Sequence, residues 1–158
     1  MHPNAQILTT LYQAFQHKDY ATMTACYHPQ AVFRDAVFDL RGSQIGAMWH
    51  MFCQADDLTI DVGNITATDH DGWAHWEASY TFSLTGRKVH NRIQSHMEFA
   101  DGTILRQDDT FNFWRWSRQA FGLRGIVLGW TPVLQTRVQQ AARTRLARFM
   151  AAHPQYQQ

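Results

Sequence analysis

A chain of 158 residues that is 45% hydrophobic and 13% aromatic is long enough for one domain with a sizeable core, and it reads as globular rather than disordered. Its formal net charge of +1 sets up no strong field for nucleic acid or an anionic membrane surface, and no apolar run reaches the length of a membrane span. Nine His and two Cys are present, but no His-x-x-x-His or Cys-x-x-Cys spacing marks a metal site, so neither metal nor other cofactor is expected. Cys26 and Cys53 fit free buried thiols of a reducing compartment, and MHPNAQ lacks a basic-then-apolar signal pattern. A soluble, cytoplasmic domain is the expectation.

Asn4 is placed to cap a first helix in which Ile7, Leu8, Leu11, Tyr12 and Phe15 recur at helical spacing. Asp19 would cap a short second helix carrying Tyr20, Met23, Cys26 and Tyr27, ended by His28-Pro29. Residues 31–35 read as a short extended piece with Phe33 and Asp35 on one side. Gly42-Ser43 opens a third helix, Ser43 its cap, burying Ile45, Met48, Trp49 and Phe52.

From Leu58 the period changes to two. Leu58, Ile60 and Val62 alternate, Gly63-Asn64 marks a bulge, and Ile65 resumes. After the turn at Asp69 to Gly72, Ala74, Trp76, Ala78, Tyr80, Phe82 and Leu84 form the apolar row of a second strand. A third strand over 89–99 puts Val89, Asn91, Ile93, Ser95, Met97 and Phe99 inward. A fourth over 103–116 has an odd row in which Gln107 and Asp109 interrupt Thr103, Leu105, Phe111 and Phe113. A carboxylate on a buried face is costly unless it is bonded, paired or facing a wet cavity, so Asp109 is the first candidate for chemistry.

Keeping odd positions opposite odd requires a three-residue loop through Gly102, which sets Ser95 near Gln107, Ile93 near Asp109 and Asn91 near Phe111. A Thr85-Gly86 loop then sets Tyr80 beside Asn91 and Trp76 beside Ser95. Outward Trp114 and Trp116 would expose apolar area unless the C-terminal helix or a second subunit covered them. That helix, over 133–152 after Thr131-Pro132, has Leu134, Val138, Ala141, Ala142, Leu146 and Phe149 on one face and a basic opposite side. Residues 117–121 read as about one helical turn, and GLRGIVLGWTP as a glycine-punctuated loop. Helices followed by antiparallel strands give an α+β layout, helices covering one face of a curved sheet, in a single domain over 1–158.

The order of elements, with "AVFRD" before a Gly-led helix and the segments "YTFSLTGRKVHNRI", "FADGTILRQDDTFNFWRW" and "GIVLGWTP", resembles the SnoaL-like branch of the nuclear transport factor 2-like superfamily over nearly the whole chain. The resemblance implies a cone-shaped antiparallel sheet with N-terminal helices on its concave face and a C-terminal helix. It also implies back-to-back pairing of sheets in a homodimer. SnoaL-like polyketide cyclases use an aspartate in a His-x-Asp context; Asp109 matches it, but the histidine position holds Gln107, which cannot titrate. In ketosteroid isomerases the proton-shuttling aspartate corresponds to Asp35 and the oxyanion tyrosine to Tyr12. Their protonated aspartate falls on Ser95, so half of that oxyanion hole is absent and steroid isomerisation is not expected.

Two readings follow. In the first, Asp109 and Asp35 are acid/base groups acting on a small apolar molecule in a pocket formed by Tyr12, Phe33, Trp49, Trp76, Tyr80, Asn91, Ser95, Gln107 and Phe111. Isomerisation, water addition and proton-relay cyclisation all use that chemistry. In the second, the domain is a non-catalytic binding or dimerisation module. Asp109 is then a structural carboxylate bonded to Tyr80, Asn91 or Trp76, and Asp35 caps a turn.

Overall fold

In the structure, a computed structural model describing residues 1–157, the helices stand close to where the apolar spacing puts them. Helix α1 (Pro3–Gln16) buries Leu8, Leu11, Tyr12 and Phe15. Its cap is His2 rather than Asn4: Pro3 takes the first helical position, and the His2 ring accepts from the Asn4 amide. Asn4 instead donates its side-chain amide to the Thr68 and Asp69 carbonyls. Helix α2 (Tyr20–Ala25) is capped by Asp19, as expected, but it stops before Tyr27. Tyr27 opens strand β1 (Tyr27–Arg34), which is longer than the expected extended piece because Pro29 drives the residues before it out of the helical region. A short β2 (Asp39–Arg41) pairs back onto β1. Helix α3 (Ser43–Cys53) begins after Gly42 at φ 57 with no side-chain cap, so Ser43 is its first residue and not its cap.

The remaining strands are β3 (Thr59–Ala67), β4 (Asp71–Phe82), β5 (Arg87–Ala100) and β6 (Thr103–Thr110), in one sheet ordered β2-β1-β6-β5-β4-β3. Neighbours run antiparallel except β1 and β6, which are parallel. The sheet is curved and unclosed, with the N-terminal helices packed into its concave face. A register shift between Val62 and Ile65 places the β3 bulge at Gly63-Asn64, as the sequence predicts.

The β5–β6 register corrects the parity argument. Asp101 (φ 52) and Gly102 (φ 73) make a two-residue turn, so Phe99 faces Ile104. A bulge between Glu98 and Phe99 leaves Leu105 without an opposite number and restores odd against odd. Ser95 consequently faces Asp109, and Met97 faces Gln107, instead of Ile93 and Ser95 respectively. Between β4 and β5 the loop takes residues 83–86, so Tyr80 faces Val89 and Trp76 faces Ile93, two residues from the expected partners.

The largest difference is at the end of β6. The alternation predicts strand to Trp116, but Asn112 accepts from the Arg115 amide and caps helix α4 (Phe113–Phe121). A local cap overrides the period-two pattern even though β5 extends back to Arg87, beyond the last paired residue Gln94. Trp116 is buried and donates to the Tyr80 hydroxyl at 2.8 Å; it does not join Trp114 on an outward strand row. The expected glycine loop contains helix α5 (Leu123–Leu128), and Thr131 caps helix α6 (Pro132–Ala152) as predicted. Gln135 and Gln139 of α6 both donate to the Ala36 carbonyl at the β1–β2 turn, which straps α6 across that end of the sheet. No helix among the described residues is long and apolar enough to cross a membrane.

Candidate functional site

Parity along β5 and β6 turns Ser95, Gln107 and Asp109 toward the helices, while their neighbours Gln94, Arg106 and Asp108 face away. Around them pack Tyr12 and Phe15 of α1, Phe33 of β1, Trp49 of α3 and Trp76 of β4, all buried. The rings meet mostly edge to face: Phe15 to Trp49 at 5.1 Å, Phe15 to Trp76 at 5.7 Å and Phe33 to Trp49 at 5.7 Å between centroids.

Within this aromatic shell two chains of hydrogen bonds lead to one oxygen. The Tyr12 hydroxyl (3.1 Å) and the Trp76 indole (2.8 Å) donate to Ser95 Oγ, which donates to Asp109 Oδ1 at 2.5 Å. On the other side the Trp49 indole donates to the Tyr27 hydroxyl (3.1 Å), and Tyr27 donates to Gln107 Oε1 (2.5 Å). Gln107 Nε2 then donates to the same Asp109 Oδ1 at 2.9 Å. Two relays therefore converge on Oδ1. Asp109 Oδ2 takes no hydrogen bond among the described residues. Fully buried side-chain polar atoms there all have partners, so Oδ2 lies in the small part of this residue, 8% exposed, that solvent reaches.

Burial pushes the Asp109 carboxyl up to about 7, against the pull of the Ser95 and Gln107 hydrogen bonds; the Asp35 charge adds a smaller upward push. Burial also raises Tyr12 and Tyr27 well above the usual phenol range, so both stay neutral donors.

Asp35 sits apart, half-buried at the β1–β2 turn, where its Oδ1 accepts from the amides of Val37 (2.7 Å) and Phe38 (2.6 Å). It caps that turn, and burial still lifts its carboxyl to about 6. Tyr80 and Phe111 are half-buried between the main core and the smaller cluster around Val89 and Trp116. Asn91 faces Ala78, four residues along β5 from Ser95, a separation of about 13 Å at the usual strand rise. Of the residues predicted for the site, Tyr12, Phe33, Trp49, Trp76, Ser95, Gln107 and Asp109 are brought together; Asp35, Tyr80 and Phe111 lie at the rim, and Asn91 stands off. The helical spacing places Tyr27 in the second helix and so leaves it out of the expected site, whereas it opens β1. The signal was present, since Tyr27, Ala31, Phe33 and Asp35 share one parity.

Two surface concavities, of about 340 Å³ beside Trp73 and His75 and about 250 Å³ beside Ile7 and Cys26, lie away from Asp109. Among the described residues no group of His, Cys, Asp and Glu is arranged to hold a metal ion.

The same architecture is found in solved structures at low sequence identity. An epoxide hydrolase of M. tuberculosis, described as LEH-like, superposes with a TM-score of 0.63 at 17% identity, over 79% of this chain and 92% of that one. An NTF2-like protein of unknown function from Burkholderia pseudomallei gives 0.66 at 14%, over 77% and 100%. A protein of Xanthomonas campestris provisionally named a polyketide cyclase gives 0.64 at 16%, over 75% and 96%. Such likeness defines the class, an NTF2-like α+β cone. The SnoaL-like domain profile matches residues 8–107, and the chain belongs to the SnoaL-like family of that superfamily. Among curated proteins, none matches it by sequence.

Proposed function

We propose that this SnoaL-like domain binds a small apolar molecule within the cone and transfers a proton on it, with Asp109 as the acid/base group. The observation that carries the reading is the asymmetry of one carboxylate: Oδ1 holds two donors while Oδ2 is free, on a group whose proton is shared near neutral pH. An acid/base catalyst works best with its pKa near the working pH, and a fixed network keeps the reactive oxygen aimed. Gln107 stands where the related cyclases carry histidine, so it orients Asp109 and takes no proton. Asp35, lifted to about 6 at the rim, is the second acid/base candidate, with Tyr80 and Phe111 as rim contacts for substrate and Asn91, farther along β5, as a more distant one. Isomerisation, water addition and cyclisation by proton relay remain the reaction types; the named activities of the M. tuberculosis and Xanthomonas proteins fall in the last two. The test is a screen of epoxides, enones and linear polyketide esters against wild type and Asp109→Asn. Turnover lost in the variant with its fold retained supports the reading, and equal turnover by both proteins defeats it.

A second reading is a non-catalytic binding or dimerisation module. It is favoured by the rings packed around Asp109 and by two surface concavities that lie away from it. A homodimer is compatible with either reading. Trp114 and Trp116 lie in helix α4 and Trp116 is buried, so they form no outward strand row for a second copy to cover. The outer sheet face still presents Trp73, 45% exposed, beside His96, as a surface for a second copy. Light scattering that holds at the mass of one 18.3 kDa chain on concentration excludes it. The two free buried thiols fit a cytoplasmic setting, which localisation of a tagged chain tests.

A further inference from the structure

The net charge of +1 conceals a segregation. All thirteen acidic residues lie at or before Asp109; beyond it the chain carries only Arg among its charged residues. Of these, Arg118, Arg124, Arg137, Arg143, Arg145 and Arg148 are exposed, and none is in a salt bridge among the described residues.

The same region displays its aliphatic side chains. Helix α5 packs against α4 through glycine: a Cβ on Gly125 would fall 1.9 Å from the Ser117 carbonyl oxygen, and one on Gly129 would fall 2.8 Å from the Ser117 Cβ. An ordinary surface helix buries its large apolar residues. Here the close glycine contact turns them outward, leaving Leu123 76%, Ile126 44%, Val127 57%, Leu128 46%, Trp130 75% and Val133 64% exposed. Basic groups frame the patch. Arg124 lies within it, and Arg137 is one turn from Val133 on α6. The Arg118 guanidinium sits 4.7 Å over the Trp114 ring, whose indole donates to the Ile126 carbonyl.

We propose that this knob, from Leu123 to Val133, docks on a bilayer surface rich in anionic phospholipid. Aliphatic groups with an exposed tryptophan suit the boundary between headgroups and acyl chains, and arginines without acids suit a negative leaflet. A two-fold contact with a second copy through this face would set Arg against Arg. An acidic protein would match the charge. However, side chains exposed to this degree stand off the body. A deformable lipid surface takes up a projecting apolar knob without a matching groove.

The experiment is co-sedimentation of the full chain with phosphatidylcholine vesicles, with and without phosphatidylglycerol, at low and high salt. Quenching by brominated acyl chains reports depth, with Trp130→Phe as the reference. The expected result is salt-sensitive binding to the anionic vesicles only. Leu123→Asp or Val127→Asp should weaken it about tenfold, and Arg124→Gln about fivefold, with far-UV circular dichroism unchanged. Failure of the wild-type chain to sediment with anionic vesicles at low salt overturns the proposal and leaves an acidic protein as the occupant. Binding untouched by both Asp variants overturns it as well.

Discussion

Asp108 and Asp109 are adjacent in the chain and occupy opposite worlds. Asp108 faces out and pairs with Arg106 at 2.7 Å in solvent, as Glu77 pairs with His90 at 2.6 Å on the same outer face. The hydrogen bond and charge of His90 hold Glu77 below the usual glutamate range, while burial holds Asp109 far above the aspartate range. One step of strand periodicity turns a solvated ion-pair carboxylate into a proton-sharing one. The difference is made by what surrounds the group, not by the group itself.

The largest effect should come from the inner shell. Trp49→Ala removes a ring packed on Phe15, Phe33, Phe52 and Trp76 and the donor to Tyr27, so denaturant unfolding should show a loss of about 4 kcal/mol. Next is Asp109 itself. Its folded pKa is raised, so the stability it contributes is complete below about 4 and is lost as pH rises through about 7. Asp109→Asn imitates the protonated form and still accepts from Ser95 and Gln107. Melting curves from pH 4 to 8 should therefore lose most of their decline. At the upper end the variant should be more stable than wild type by on the order of a few kcal/mol; a variant less stable than wild type there would make the ionised carboxylate a structural requirement. Ser95→Ala removes one Oδ1 donor and strands the Tyr12 and Trp76 hydrogens, costing about 2 kcal/mol. It should also move the Asp109 titration, followed by carboxyl carbon NMR, still higher. The smallest effect belongs outside: Asp108→Asn should change stability by no more than about 0.5 kcal/mol, because an exposed ion pair contributes little.

The alternation of β3 to β6, the caps at Asp19 and Thr131 and the bulge at Gly63-Asn64 were legible because each depends on residues within one turn or one strand. The inward placement of Asp109 was legible for the same reason, since parity is a local property of the strand. Its partners were not. Whether Ser95 or Ile93 stands across from it depends on the Asp101-Gly102 turn and the Leu105 bulge together, and both loop lengths satisfy the same odd-even pattern. Tyr27, Trp49, Tyr12 and Trp76 come from α1, α3 and two strands, up to 83 residues from the atoms they touch, so no sequence window contains the network. Likewise the arginines and aliphatics after Asp109 can be read from the chain. Only the contact of Gly125 with Ser117 decides that the aliphatics face out, because two backbones can approach that closely only where a side chain is missing.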